Sequence, residues 1–286
     1  MEASTHNETI THYEEALSHL RHLIKYSHTA SLSLKGKEAQ NQQQYYASII
    51  FSKIVSHAIT LNRLAPMHVA LPSNAPEEHW DISSICCISR TIVEASDVLS
   101  YVADESDNEK FSLLKILVWE LHDKERRINM LNGIGSNAPE VFEIKHSAEE
   151  LRSTILSEEY SSILHPNAKG KIKAENSPDF LIPIKERCIR ANVSLSYFQG
   201  AKMFLSSYVH THPLAIHQLE NFRVGDTSSI NLISLAIRYS VVFLGKAIEY
   251  MQALMKNALA GVDETTKYIM ETWNSIAASG VNASSS

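Results

Sequence analysis

The chain has 286 residues, of which 44% are hydrophobic and 20% charged, and it carries a formal net charge of −6. That is enough apolar material for a substantial core, and of the one large or two small domains the length allows, one is expected. The negative balance excludes a global positive field that would draw in nucleic acid or an anionic membrane, so any RNA contact has to be local.

Apolar residues recur with a period near 3.6 along most of the chain, and the alternating β-branched runs that announce a sheet are absent. The expected fold is therefore all-α, a bundle of about seven or eight helices without a sheet. The opening "MEASTHNETITHYEE" is polar and acidic, with neither a basic leader nor an apolar signal core. A first helix is expected after the Asn7 region, with Ile10, Tyr13, Leu17, Leu20 and Ile24 on one stripe. A second should run from about Glu38 to Leu64, turn Tyr45, Ile49, Ile54, Ala58 and Leu61 inward, and end at Pro66, in a loop that also holds Pro72 and Pro76. The third starts at a cap on Asp81 and reaches Ala103, and the fourth spans Asn108 to Asn132 and closes on Gly133.

After a fifth helix over Pro139 to Ser157, periodicity fades and Pro, Gly, Asn and Lys gather in "HPNAKGKIKAENSPDFLIP". An exposed loop is expected near 158–183, with 165–183 a lid or a linker and a place for a hinge between halves. A sixth helix is expected from Ile184 to about His210, stopping before Pro213. The seventh and longest begins at Thr227 or Ser228 and carries Ile230, Ile233, Ile237, Val241, Leu244, Ile248 and Met251. Its apolar run approaches membrane-spanning length, but Arg238 at the centre would cost about 2.5 to 3.5 kcal/mol on insertion, so a buried core helix is expected and no membrane partner. A short eighth helix reaches Ala278. Residues 1–278 read as a single helical domain, and 279–286 as a disordered tail. There is no internal repeat.

The third helix carries the most informative pattern. In "SSICCISRTIVEASDVLSY" the apolar residues cover most of the circumference and leave one polar row, Ser83, Cys87, Arg90, Glu94, Asp97 and Tyr101, spaced by three or four residues. A lone guanidinium or carboxylate is costly to bury, so Arg90 and Glu94 should pair or line a wet cleft. One reading is an intrahelical ion pair facing solvent, contributing about 0.3 to 0.5 kcal/mol. The other is an enclosed cleft in which Arg90 binds an anion and Glu94 orients an imidazole.

A candidate imidazole stands in "LSSYVHTHPLAIHQ", where Tyr208, His210, His212 and His217 close the sixth helix. His210 lies in register with Met203, Ser206 and Ser207 and is expected to turn inward. His212 and His217 read as cations favoured by the helix C-terminus, in a chain with 14 histidines. No H-E-x-x-H occurs, and only Glu143 and His146 form an E-x-x-H pair. The His122-Asp123 doublet in "ELHDKERR" is like the paired ligands of HD-type metal phosphohydrolases, with His57, His79 or Asp179 as the remaining candidates. There is no G-x-S-x-G and no glycine-rich phosphate loop, so no cofactor is expected. Cys86, Cys87 and Cys188 form neither a disulfide framework nor a paired C-x-x-C, which suits a reduced, cytoplasmic protein.

With "SRTIVEASDVL" followed by "SSYVHTHP", the chain resembles a group of prokaryotic all-helical proteins known only as a domain of unknown function, over roughly Tyr45 to Tyr250. That resemblance implies that Arg90 and Glu94 meet Tyr208 and His210, and implies no established activity. A looser similarity is to HEPN-type helical ribonucleases, whose signature is an Arg separated from a His by four to six residues. Such proteins act on RNA without a metal, in stress or phage defence, the His managing the 2′-hydroxyl proton and the Arg the phosphate charge. Arg90 has no such His, whereas Arg21 with His28 and Arg63 with His68 satisfy the spacing outside the expected context. The expectation is a metal-independent enzyme acting on RNA or another phosphate-containing ligand through Arg90, Glu94, Tyr208 and His210. The alternatives are a non-catalytic interaction module whose polar row sets helix register or a homodimer, and an HD-type phosphohydrolase.

Overall fold

A computed structural model describes residues 2–69, 79–256 and 258–279. The fold is all-α: among the described residues there are twelve helices and no strand. In chain order these are α1 (Glu2–Ser33), α2 (Gln42–Leu64), α3 (Ile82–Ala103), α4 (Glu109–Gly133), α5 (Pro139–Leu156) and α6 (Glu158–Ser161). They continue as α7 (Pro166–Lys173), α8 (Ile184–Arg190), α9 (Leu195–Val209), α10 (Pro213–Glu220), α11 (Thr227–Leu254) and α12 (Glu264–Ser279). Pro72, Pro76 and the expected tail over 280–286 lie outside the described residues, while Ser279 closes α12.

The helices gather into two compact units. One comprises Met1–Glu38, Ala47–Ser100 and Ile184–Ser286, and the other Ala39–Tyr46 and Tyr101–Pro183. In the first unit α11 is the core element. Ile233, Ala236, Ile237, Val241, Leu244, Ala247 and Ile248 are all buried, so this helix is apolar around most of its circumference, the pattern of a fully surrounded core helix. It is also long and apolar enough to cross a membrane, and 72% of its apolar window is buried within the fold. Helix α1 packs along it through Tyr13, Leu17, Leu20 and Leu23, and Tyr13 Oη donates to the Pro66 carbonyl at 2.6 Å. At Gly245 a Cβ would stand at ordinary van der Waals distance from Met270 Cγ, 3.6 Å, and Leu23 Cδ1, 4.0 Å, so α1 and α12 both reach α11 at this point.

On α2 the inward stripe is offset from the expected one. Tyr45 and Ile49 are about half exposed, and the buried residues are Ala47, Ile50, Phe51, Ile54, Val55, Ala58 and Leu61. The apolar pairs Tyr45-Tyr46 and Ile49-Ile50 leave the phase of the helix ambiguous, and packing selected the second member of the isoleucine pair. The cap of α3 is as expected: Asp81 Oδ1 accepts from the Ser84 amide at 2.9 Å. Helix α4 starts at the Asn108 cap but runs through Gly133, and the left-handed residue that ends it is Gly135 (φ 66°), with Ser136 N donating to Leu131 O.

The second unit is built on α4 and α5, with Leu114, Val118, Leu121, Ala148 and Ile155 forming its core. Residues 158–183 are not the exposed loop that the sequence suggests. Tyr160, Leu164 and Ile172, on or next to α6 and α7, complete that same core. Beyond α7 the chain is pinned: Glu125 accepts from Ser177 N at 2.7 Å and Ser177 Oγ at 3.0 Å, and Leu181 N donates to Tyr101 Oη at 3.1 Å. Lys115, fully buried, is held by Asp107 at 2.7 Å and the Tyr101 carbonyl at 2.9 Å.

Candidate functional site

The polar row of α3 is half-buried at Cys87, Arg90, Glu94 and Asp97, between the buried positions Cys86, Ile92, Val93, Ser96 and Leu99. Three of its charged members are met in turn by the segment from α8 to the end of α9. Arg90 Nη1 lies 2.8 Å from His210 Nε2, and Arg90 Nε donates to Glu94 Oε1 at 3.0 Å. Lys202 Nζ approaches Glu94 Oε1 at 3.6 Å. Arg187 grips Asp97 at two points, Nε to Oδ1 at 3.0 Å and Nη2 to Oδ2 at 2.8 Å. The partners occur in reverse chain order, 210, 202 and 187 against 90, 94 and 97, so the two segments run antiparallel along the row.

A break in the helix makes this matching possible. The sequence suggests one helix from Ile184 to His210, which at 1.5 Å per residue would set Arg187 roughly 22 Å from Lys202, while Glu94 and Asp97 are only about 4.5 Å apart along α3. Instead the chain turns after Arg190. Asn192 adopts a left-handed conformation (φ 50°), Val193 N bonds Cys188 O and Asn192 N bonds Ile189 O, a double bond pattern that closes a helix on a left-handed residue. Ser194 then caps α9 by accepting from Tyr197 N, and its own amide donates to the Ala277 carbonyl of α12 at 2.8 Å.

The end of α9 holds a strained residue beside the candidate imidazole. His210 is the C-cap, and the next residue, Thr211, has φ 54° while His212 N bonds Ser207 O. A β-branched residue in the left-handed region is a costly outlier, and such residues gather at functional sites. The guanidinium has only donors, so the bond to His210 runs from Arg90 to an unprotonated Nε2 and puts the proton of the neutral ring on Nδ1.

Arg90, Glu94 and His210 therefore meet, but not in an enclosed cleft. The Arg90 side chain is 22% exposed and that of Glu94 41%, and His210 faces solvent, so the cluster is an open surface site with Lys202 at its edge. Tyr208 does not join it. Buried under the helix end, its hydroxyl donates to Gln218 Oε1 of α10 at 2.7 Å, and burial raises its pKa well above the ordinary tyrosine value, which keeps the hydroxyl protonated. Cys86 and Cys87 are packed in α3, and burial raises both thiols, with Arg90 opposing the shift at Cys87.

The remaining candidates are occupied elsewhere. His122 Nδ1 lies 2.7 Å from the Ser177 carbonyl and Asp123 is exposed, and among the described residues no three His, Cys, Asp or Glu side chains are grouped to hold a metal ion. Arg21 donates to Asn62 Oδ1 at 2.9 Å. Lys202 and Arg187 escaped the sequence reading because nothing in local spacing assigns a partner on another helix. The elbow did leave a signal: Asn192 suits a left-handed cap and Ser194 a helix start. No protein-family model matches the chain, and no curated protein or solved structure matches it either.

Proposed function

We propose that the Arg90–His210 pair acts on a phosphodiester of RNA without a metal. The observation that carries this reading is the 2.8 Å approach of a solvent-open guanidinium to an imidazole nitrogen. A phosphate arriving at Arg90 competes for the guanidinium and frees the lone pair on His210 Nε2. The imidazole then takes the proton of a 2′-hydroxyl as that oxygen bonds to phosphorus, and returns it to the 5′-oxygen as the phosphorus–oxygen bond to it breaks. Arg90 stabilises the charge on the phosphoryl oxygens, and Glu94, bonded to Arg90 Nε, fixes the plane of the fork. An open site suits a polymeric substrate, and the similarity to HEPN-type ribonucleases adds to this reading by analogy. The role fits a stress- or phage-defence protein in a prokaryotic cytoplasm.

A second reading has its own support. The row is answered group for group along its length, Arg90 by the His210 imidazole, Glu94 by Lys202 and Asp97 by Arg187, as a device that fixes helix register would be. One comparison separates the two: wild type, Arg90→Ala and His210→Ala, each assayed for metal-free cleavage of single-stranded RNA in the presence of a chelator and for thermal unfolding by circular dichroism. The nuclease reading expects cleavage that both substitutions abolish, with melting almost unchanged. Absence of cleavage by the wild type, combined with a melting loss of several degrees in both variants, would establish the register role instead.

A further inference from the structure

The turn that ends α9 sets two imidazoles side by side. Residues two apart on an α-helix project about 200° from one another, so His210 and His212 would face opposite ways had α9 continued. Instead Thr211 is left-handed (φ 54°), the His212 amide returns to the Ser207 carbonyl at 2.9 Å, and the two rings stand 5.7 Å apart between centres at an interplanar angle of 32°. The sequence suggests that His212 is a cation at a helix C-terminus. It is the N-cap of α10, its carbonyl accepting from Ala215 N at 2.9 Å and Ile216 N at 3.2 Å, and its side chain takes no part in the cap.

The two rings are unequally committed. His210 Nε2 accepts from Arg90 at 2.8 Å. The His212 ring is exposed, and among the described residues it makes neither a hydrogen bond nor an ion pair. The strained backbone at Thr211 therefore places a free imidazole beside an anchored one, at the open edge of the same cluster.

Cleavage of an RNA phosphodiester by its own 2′-hydroxyl needs proton transfer at two places. The attacking 2′-oxygen and the departing 5′-oxygen lie roughly in line on opposite sides of phosphorus, and a proton donor or acceptor must come within about 3 Å of the oxygen it serves. An imidazole anchored by Arg90 beside the first oxygen is poorly placed for the second. A ring-centre separation of 5.7 Å sets His212 apart from His210 yet within reach of the same phosphate.

We propose that His212 is the general acid of this reaction. That role rests on the RNA reading and divides its proton work between two rings: the proton taken up at His210 is returned by way of His212. The 2′-hydroxyl gives its proton to His210 Nε2 as an oxygen electron pair forms the bond to phosphorus. The imidazolium of His212 gives a proton to the 5′-oxygen, which keeps the electron pair of the bond it breaks. The products are a 2′,3′-cyclic phosphate and a free 5′-hydroxyl. His210 is left charged and His212 neutral, and solvent carries the proton from one ring to the other before the next turnover.

The test compares wild type, His210→Ala and His212→Ala, with a chelator present, on a single-stranded RNA and on the same RNA carrying sulfur in place of the bridging 5′-oxygen, where a thiolate leaves without needing a proton. His210→Ala should lose cleavage of both. His212→Ala should cleave the oxygen substrate about a hundredfold more slowly than wild type or worse, and be slowed on the sulfur substrate by far less. His212→Gln, which keeps a polar side chain but has no acid to offer, should repeat that split if the alanine variant folds poorly. The proposal is overturned, and the RNA reading kept, if a folded His212 variant cleaves the oxygen substrate as fast as wild type or is slowed equally on both. Wild type that cleaves neither substrate removes the RNA reading and the general acid with it.

Discussion

Asp97 and Arg187 are joined by two parallel hydrogen bonds, at 3.0 and 2.8 Å, with both side chains nearly withdrawn from solvent. Arg90 and Glu94, on the same face of the same helix, form a single contact in the open. Breaking a buried pair leaves an uncompensated charge, whereas an exposed pair contributes at most about 1 kcal/mol. Arg187→Met should therefore cost about 3 kcal/mol in urea unfolding, and the Asp97→Leu/Arg187→Met double variant should recover most of it. If the single substitution shifts the urea midpoint no more than Arg90→Ala does, the buried bridge contributes little.

Thr211 gives a prediction of opposite sign. Its left-handed backbone (φ 54°) strains a β-branched residue next to His210, and glycine adopts that conformation freely. Thr211→Gly should raise stability by about 1 kcal/mol and, under the proposed function, lower RNA cleavage, because the imidazole loses the stiff residue behind it. A fall in melting temperature would show that the threonine side chain makes contacts that outweigh the strain.

The seam between α1 and α12 makes stability depend on pH. His19 Nδ1 accepts from Trp273 Nε1 at 3.1 Å, and burial holds the imidazole below the ordinary histidine value of 6.5, with Glu15 opposing and His22 adding to the shift. The folded state thus keeps the ring neutral, and unfolding releases it to bind a proton. The contribution to stability is complete above 6.5 and declines as pH falls through that value toward the lower folded one. His57, lowered by burial and by Lys53, acts in the same direction. Urea midpoints should drop between about pH 7.5 and pH 5.5, and His19→Gln should flatten part of the slope. An unchanged slope in that variant would place the dependence elsewhere.

Thiol reactivity should follow burial. Cys86 and Cys188 are buried, Cys87 is half-buried, and burial raises all three thiols, so each is protonated and poorly nucleophilic at neutral pH. A disulfide reagent at mildly alkaline pH should modify Cys87 alone and slowly in the native protein, and all three residues in denaturant. Rapid native labelling of Cys86 would mean that α3 opens far more readily than its packing implies.

The helical class, the Asp81 cap, the start of α4 at Asn108 and the polar row of α3 were legible because they depend on periodicity and on residues within one turn of each other. What the sequence concealed depends on contacts between distant segments. The phase of α2 could not be decided between Ile49 and Ile50, since both fit a helical stripe and only packing buried the latter. Residues 158–183 read as a loop because α6 and α7 are short and polar, yet Ile172, with Ala168 beside it, anchors α7 in a core made mostly by α4 and α5. For the candidate site, the meeting of Arg90 and His210 was expected, but its openness and the departure of Tyr208 toward Gln218 were not. Those depend on where α9 stops, and a left-handed threonine is not what propensity would choose there.

The bond from Ser194 N to Ala277 O ties the start of α9 to the last turns of α12. Shortening the C-terminus past that carbonyl would strip an acceptor from the elbow that lets Arg187 and Lys202 reach neighbouring turns of α3. Damage at the carboxyl end would then surface far upstream, as a loosened charge row.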